Sequence, residues 1–382
     1  MPHEFVPGLE GVPIAESAIS FVDGLKGVLE YRGIRIENLA EHGTYEETAH
    51  LLLNGDLPDQ AALDSLIHEL ANHRRLESQI IDLLKCLPEY GHPMDALQAA
   101  IAALGMFHPA RDVTKDAENH LSCIRLIAKL PSIVSAFERF RNGAEILSPR
   151  EDLGHAANFL YTLTGVQPDH VSVKALDVCL ILHADHTMNA STFSGRVTGS
   201  TLADPYTVVS SAVGTLSGPL HGGANEQVLD MLREIGSVQN AESYIENKMA
   251  NKDRIMGFGH RVYKTKDPRA IILRRLADEM TEEHGSTELY EIALRVDEIV
   301  TERLGEKGIF ANVDFYSGIV YDALGIRPDA FTPIFAMGRV AGWLAHWLEQ
   351  LIDNRIFRPT QIYAGEHNIP YRPAEQRGGK SI

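Results

Sequence analysis

The chain has 382 residues, 44% of them hydrophobic, and carries 35 Lys and Arg against 52 Asp and Glu, a net charge of −17. That length buries a sizeable core, enough for two domains or one large one, and the apolar content excludes a disordered chain. The acidic balance excludes general nucleic-acid binding, which needs a basic footprint.

The longest apolar run, 99–107, has nine residues with a glycine inside it; a membrane-spanning helix needs about 20, so no bilayer crossing is expected. The start, Met1 to Phe5, lacks the basic and apolar regions of a signal peptide. Cys86, Cys123 and Cys179 have no paired spacing and read as thiols of a reducing cytoplasm.

In chain order, residues 19–22 and 28–31 predict a short N-terminal β-hairpin around a turn at 24–27. The helical period dominates thereafter. Thr44 with Glu47 is a capping-box signature for a helix ending at Gly55. Pro58 opens the next, with apolar residues at Leu63, Ile67 and Leu70, and Ser148-Pro149-Arg150-Glu151 opens one that stops at Gly165. Further helices are predicted at 93–104, 114–129, 132–141, 169–182, 204–217, 224–235, 268–280, 286–304, 314–324 and 328–351. There is no Gly-x-Gly-x-x-Gly after a strand, no P-loop and no Gly-x-Ser-x-Gly elbow. The expected class is all-α.

Four segments break the helical pattern: His183 to Thr192, Gly218 to Asn225, Met256 to Ala270 and Asn312 to Gly318. Each has a structural reading. His183 and His186 read either as core histidines or as a metal pair, Gly257 and Gly259 as helix C-caps, and Asp314 as an N-cap. In combination they read differently. His221, His260 and Asp314 all stand in glycine-bearing turns, and 252–275 holds eight basic and two acidic residues inside an acidic chain. A carboxylate base with two polarising histidines is what enolisation of a weak carbon acid requires. Arginines suit a dicarboxylate, and glycine amides with Lys and Arg suit phosphates.

In order and spacing, these segments resemble the citrate synthase family. The likeness runs from Gly8-Leu9-Glu10-Gly11 and Ile19-Ser20-Phe21-Val22-Asp23-Gly24, through Tyr31-Arg32-Gly33, to Arg358-Pro359. It implies the all-α citrate synthase fold, with a large helical domain at 1–221 and 326–382 and a smaller one at 222–325. It implies condensation of acetyl-CoA with oxaloacetate, followed by hydrolysis of citryl-CoA. Asp314 would be the base, His221 the donor to the thioester oxygen, and His260 the group that polarises the ketone. Arg269, Arg339 and His186 would bind oxaloacetate, joined by Arg358 from the neighbouring subunit of a homodimer, with higher oligomers of dimers also open. Gly257, Phe258, Gly259, Arg261, Lys264 and Lys307 are candidates for CoA, while Tyr263 and Phe258 stand between adenine neighbours and packing residues. His183 would be structural; no metal and no bound cofactor are expected, acetyl-CoA being a substrate.

Two positions depart from the family pattern: Ala311, where proline is frequent before Asn-Val-Asp, and Thr187-Met188 after His186. The competing readings are a 2-methylcitrate synthase using propionyl-CoA, a non-catalytic helical assembly protein, and a metal-dependent hydrolase built on His183 and His186.

Overall fold

The structure, a computed structural model, describes residues 5–377. It opens with a small antiparallel sheet, β1 (Ser20–Asp23), β2 (Val28–Tyr31) and β3 (Ile34–Arg35), in the order β1-β2-β3. Ser20 pairs with Tyr31 and Asp23 with Val28, so the predicted hairpin is present and gains a third, two-residue strand. Ten helices follow: α1 (Ile36–His42), α2 (Tyr45–Asn54), α3 (Gln60–His73), α4 (Ser78–Cys86), α5 (Pro93–Phe107), α6 (Asp116–Arg141), α7 (His155–Thr164), α8 (His170–His183), α9 (Ala190–Gly199) and α10 (Pro205–Leu216). Then come α11 (Ala224–Ile235), α12 (Ala241–Asn251), α13 (Pro268–His284), α14 (Glu288–Leu304), α15 (Val313–Ala323) and α16 (Phe331–Ile352).

Helix ends follow local chemistry. In α2 the Thr44 side chain accepts the Glu47 N–H, the Glu47 carboxylate accepts the Thr44 N–H, and Gly55 closes the helix at φ 99°. Asp59, Asp169, Asp204, Asp267 and Asn312 cap α3, α8, α10, α13 and α15 with their side-chain oxygens.

Three helical expectations are corrected. The helices placed at 114–129 and 132–141 are one, α6, which runs through Pro131. Proline removes one helical hydrogen bond, but every residue from Leu126 to Glu138 is buried, and burial on both sides holds the helix together. That helix is also long and apolar enough, by length and composition alone, to span a bilayer; 83% of its apolar window is buried inside the protein, which makes it a core helix. The helix expected from Ser148 starts only at His155. Before it, Arg74 donates to the carbonyls of Arg150 and Leu153, and Asn158 accepts the Arg150 N–H, fixing an irregular segment instead. Finally, α1, α4, α9 and α12 were not anticipated. The sequence of α9, ASTFSGRVTG, has little helical propensity; it is held by the Asn189 cap and by packing on α10 and α16.

Helix α16 is the spine. It packs against α2, α5, α6, α8, α9, α10 and α11, and Trp343 and Trp347 are buried. A Cβ at Gly338 would lie 2.8 Å from the Leu180 carbonyl oxygen, and one at Gly342 would lie 2.2 Å from that of Ala184, so its backbone sits directly on the end of α8. Helices α11 to α15 pack on one another, with α13 and α15 also touching α8.

Replacing Thr44 by Ala removes the side-chain half of the α2 capping box, the bond from the Glu47 N–H, and leaves the backbone N–H of residue 44 on the Glu47 carboxylate. Unfolding by urea is expected to show a loss of about 1 kcal/mol, with the m-value unchanged.

Candidate active site

Three turns meet across one cleft of about 1100 Å³. His221 stands in the turn between α10 and α11, which closes by hydrogen bonds from His221 N–H to Gly218 O (2.9 Å) and from Gly222 N–H to Leu216 O (3.0 Å). A Cβ at Gly222 would lie 2.4 Å from that Leu216 oxygen, so only glycine fits. The His221 Nε2 accepts the backbone N–H of Ser191 at 3.2 Å and lies 2.8 Å from the Ser191 hydroxyl. A backbone N–H only donates, so Nε2 is the acceptor and the proton of the neutral ring sits on Nδ1.

His260 is held in the opposite sense. Its Nδ1 accepts the N–H groups of Val262 (3.0 Å) and Tyr263 (3.1 Å), which leaves the proton on Nε2. Burial lowers both imidazoles to about 4, with Arg339 adding to the effect at His221 and Arg269 at His260. Both rings are therefore neutral donors at pH 7.

Asp314 lies in the first turn of α15, its N–H accepted by Asn312 Oδ1 at 3.0 Å. The residue is half-buried, and its Oδ1 is buried with no hydrogen-bond partner among the described residues. Burial raises its pKa to about 6, against the opposing pull of Arg269.

A short pairing of 257–259 with 310–312 brings His260 and Asp314 together. Phe258 bridges Ala311, Gly259 N–H donates to Phe310 O (2.9 Å) and Asn312 N–H to Gly257 O (2.9 Å). Asn312 Nδ2 adds a bond to Gly259 O at 2.9 Å. Gly257 has φ 77°, and a Cβ there would meet Phe315 and Val228 at 2.8 Å. The Ala311 N–H takes no part in either bridge bond, so a proline at this position would remove neither of them.

The cationic floor is buried. Arg269 forms a two-pronged pair with Asp267, at 3.0 and 2.8 Å, which holds its pKa above the usual value despite burial. Arg339 has no ion-pair partner among the described residues: its Nε–H donates to His183 O at 2.6 Å, and burial lowers its pKa to about 10. His186 is buried against His260 and Tyr263, with its Nε2 3.4 Å from the Tyr263 hydroxyl. Tyr263 itself is buried, with Arg269 over its ring, and so acts as packing for this floor.

His186, His221, Gly257, Phe258, Gly259, His260, Arg261, Arg269, Lys307, Asp314 and Arg339 all line the cleft. Lys264 does not; its N–H donates to Gly24 O, its ammonium lies near Arg261 O, and it stands outside the wall. Arg358 is exposed and also outside it. His183 turns away into the core, its Nδ1 on Cys179 O at 2.7 Å and its ring against Phe335. Lys252 and Arg254 join the wall without having been singled out, although both belong to the basic segment. Ser191, which orients His221, carried no signal of its own beyond following the helix-capping Asn189.

The sequence profile described as "Citrate synthase, C-terminal domain" matches residues 8–360. The chain is 57% identical to the citrate synthase of Synechocystis sp. over 98% of this chain and 94% of that one. It is 55% identical to the citrate synthase of Acidithiobacillus ferridurans, over 98% of each. Among solved structures, citrate synthase from Pyrobaculum aerophilum aligns with a TM-score of 0.92 at 42% identity, covering 97% of this chain and 95% of that one. The ternary complex of carboxymethyl coenzyme A and oxaloacetate with citrate synthase from Thermoplasma acidophilum aligns with a TM-score of 0.93 at 32% identity, covering 98% of this chain and 100% of that one.

The raised pKa of Asp314 has a thermodynamic signature. The folded state holds this proton up to about pH 6, the unfolded state only to about 3.8, so the group's contribution to stability falls as pH rises through that window. Asp314→Asn removes the penalty. Denaturant titration is expected to show the variant more stable than the parent by on the order of 2–3 kcal/mol at pH 7.5, with the gain shrinking toward pH 4.5.

Proposed function

The chain belongs to the citrate synthase family and condenses acetyl-CoA with oxaloacetate to give citrate and CoA; on this premise we propose how its own residues divide the chemistry. Asp314 takes a proton from the methyl of acetyl-CoA. Burial makes its carboxylate a stronger base than an exposed one, and the free oxygen gives it somewhere to receive the proton. His221 donates Nδ1–H to the thioester oxygen as the enolate forms, and His260 donates Nε2–H to the oxaloacetate ketone and protonates the alkoxide produced by carbon–carbon bond formation. Water then hydrolyses the citryl-CoA thioester.

One observation carries this assignment. A carboxylate with one buried, unpartnered oxygen shares a cleft with two neutral imidazoles, each with one nitrogen committed to backbone N–H groups and its proton on the other.

Arg269, Arg339 and His186 hold the oxaloacetate carboxylates. Lys252, Arg254, Arg261 and Lys307 line the cleft; we assign them to the CoA phosphates, with 257–259 beside the adenine end. Residues 222–325 form the smaller unit, which closes over bound oxaloacetate and shuts water out before acetyl-CoA reacts.

Arg358 is exposed on its own chain, in a tail after α16 that also exposes Ile356, Ile362, Tyr363, Ile369 and Tyr371. We assign it to the cleft of a second copy in a homodimer. The three free cysteines suit a reducing cytoplasm. The propionyl-CoA alternative is not favoured, since the curated relatives at high identity are citrate synthases.

Release of CoA thiol with oxaloacetate is expected to give a higher kcat/KM for acetyl-CoA than for propionyl-CoA; the reverse order would make the protein a methylcitrate synthase. In the same assay Asp314→Asn is expected to lose about 10³-fold in kcat while still binding oxaloacetate, and near-normal turnover would remove Asp314 as the base.

Arg358→Ala is expected to raise the oxaloacetate KM about tenfold or more with the dimer intact by light scattering. A normal KM in that variant would rule out the shared site.

A further inference from the structure

Besides Phe335, three polar side chains of helix α16 reach toward the cleft. Arg339 lines it. Trp343 donates its indole N–H to Ser191 Oγ at 3.1 Å, beneath His221. His346 lies buried under the turn that carries His186, facing the carboxylate of Asp185. We propose that Asp185 and His346 are positioning residues for oxaloacetate, clamping the strained turn from which His186 enters the cleft. The inference rests on His186 as a substrate-binding residue.

The strain is local and visible. Thr187, the residue after His186, has φ 51°. A β-branched side chain in the left-handed region is strained and persists only where its surroundings over-determine it. Here the Thr187 N–H is shared between Asp185 Oδ2 and Ser20 Oγ, each at 3.0 Å, and the Ser20 hydroxyl donates to that same carboxylate oxygen. On the other side of the turn, Asp185 N–H donates to the Tyr31 hydroxyl at 3.1 Å, which in turn donates to Asp185 O at 2.9 Å.

Asp185 is fully buried, so its charge needs compensation. His346 Nε2 lies 3.3 Å from one of its oxygens and 3.5 Å from the other. The His346 tautomer is set from behind: Arg196 Nη1 points at Nδ1 from 3.3 Å, so Nδ1 accepts and Nε2–H faces the carboxylate. Arg196 is held in turn by Glu349 at 2.8 Å and Gln350 at 3.1 Å. Burial alone would raise the Asp185 pKa; His346 and Arg339 outweigh it and keep the group ionised. The α16 backbone completes the clamp, since a Cβ at Gly342 would lie 2.6 Å from Asp185 Oδ1. A continuous set of contacts thus runs from Glu349 through Arg196, His346 and Asp185 to the peptide next to His186. Glu349, Arg196, His346 and Asp185 all stand outside the cleft wall, which the set reaches only at Thr187 and His186.

The test compares His346→Leu, His346→Asn and His346→Gln with the parent, varying oxaloacetate at saturating acetyl-CoA and recording Tm. Gln keeps a donor that reaches Asp185, Asn is too short, and Leu has none. Leu and Asn are expected to raise the oxaloacetate KM about tenfold with kcat within about threefold, and Gln to return KM to within about threefold of the parent. A folded Leu or Asn variant with a parental KM overturns the inference, as does a loss of kcat, KM and Tm together that Gln does not rescue. If the Leu variant does not fold, the Asn and Gln pair decides by the same criteria. His186→Ala, assayed alongside, separates the two layers. An unchanged oxaloacetate KM in that variant removes His186 from the substrate site, whereas a raised KM there with parental His346 variants removes only the clamp.

Discussion

The site depends on how closely the backbone of α16 approaches the end of α8. Gly338 and Gly342 leave no room for a side chain against Leu180 and Ala184, so the two backbones meet directly. That contact fixes the height and rotation of α16, and the rotation decides where its polar residues emerge. Arg339 is thereby delivered to the cleft as a buried cation with a carbonyl, not a carboxylate, for company. A guanidinium desolvated in this way binds an incoming carboxylate without first breaking an ion pair. Arg269, already paired with Asp267, is held more firmly and gives up less.

Charge is arranged by the same logic. His221 and His260, the proposed donors, are kept neutral by burial and by nearby arginines, while burial raises Asp314, the proposed base, against the pull of those same arginines. The acidic surface of the chain leaves the cleft as a concentrated site of positive charge, and both substrates are anions. Within 252–275 only part of the basic run serves this end: Lys252, Arg254, Arg261 and Arg269 line the cleft, whereas Arg274 pairs with Asp297 on α14 and Arg275 with Glu279 on α13 itself.

Much of this was legible because the sequence signals were local. Thr44 with Glu47, the aspartate caps and the closing glycines are short-range chemistry, and the helices they bound stand within a few residues of expectation. The site histidines and Asp314 were legible as polar groups in glycine-bearing turns. What escaped depends on tertiary packing. Pro131 reads as a break, yet α6 continues because its surroundings are all core. Helix α9 has a loop-like composition and forms because α10 and α16 enclose it. Ser191 lies inside the segment 183–192, and Trp343 and His346 on the helix of Arg339, yet none had a signal of its own; they became functional candidates only when the fold placed them behind His221 and His186. Lys264 shows the converse, a basic residue in the right segment that the backbone carries outside the wall.

Asn312 has one further consequence. Its two side-chain atoms serve both halves of the reaction centre, Oδ1 taking the N–H of Asp314 and Nδ2 reaching the carbonyl of Gly259, next to His260. With the backbone bonds on either side of Ala311, this makes Asp314 and His260, the proposed base and ketone-polarising group, parts of one block, while His221 is anchored separately to Ser191. Any displacement of that block as a body leaves the spacing between Asp314 and His260 unchanged and alters only their distance to His221 and Arg339. On the proposed roles and closure, the geometry that forms the new carbon–carbon bond would be insulated from cleft opening, and the geometry that stabilises the enolate would be the one that closure tunes.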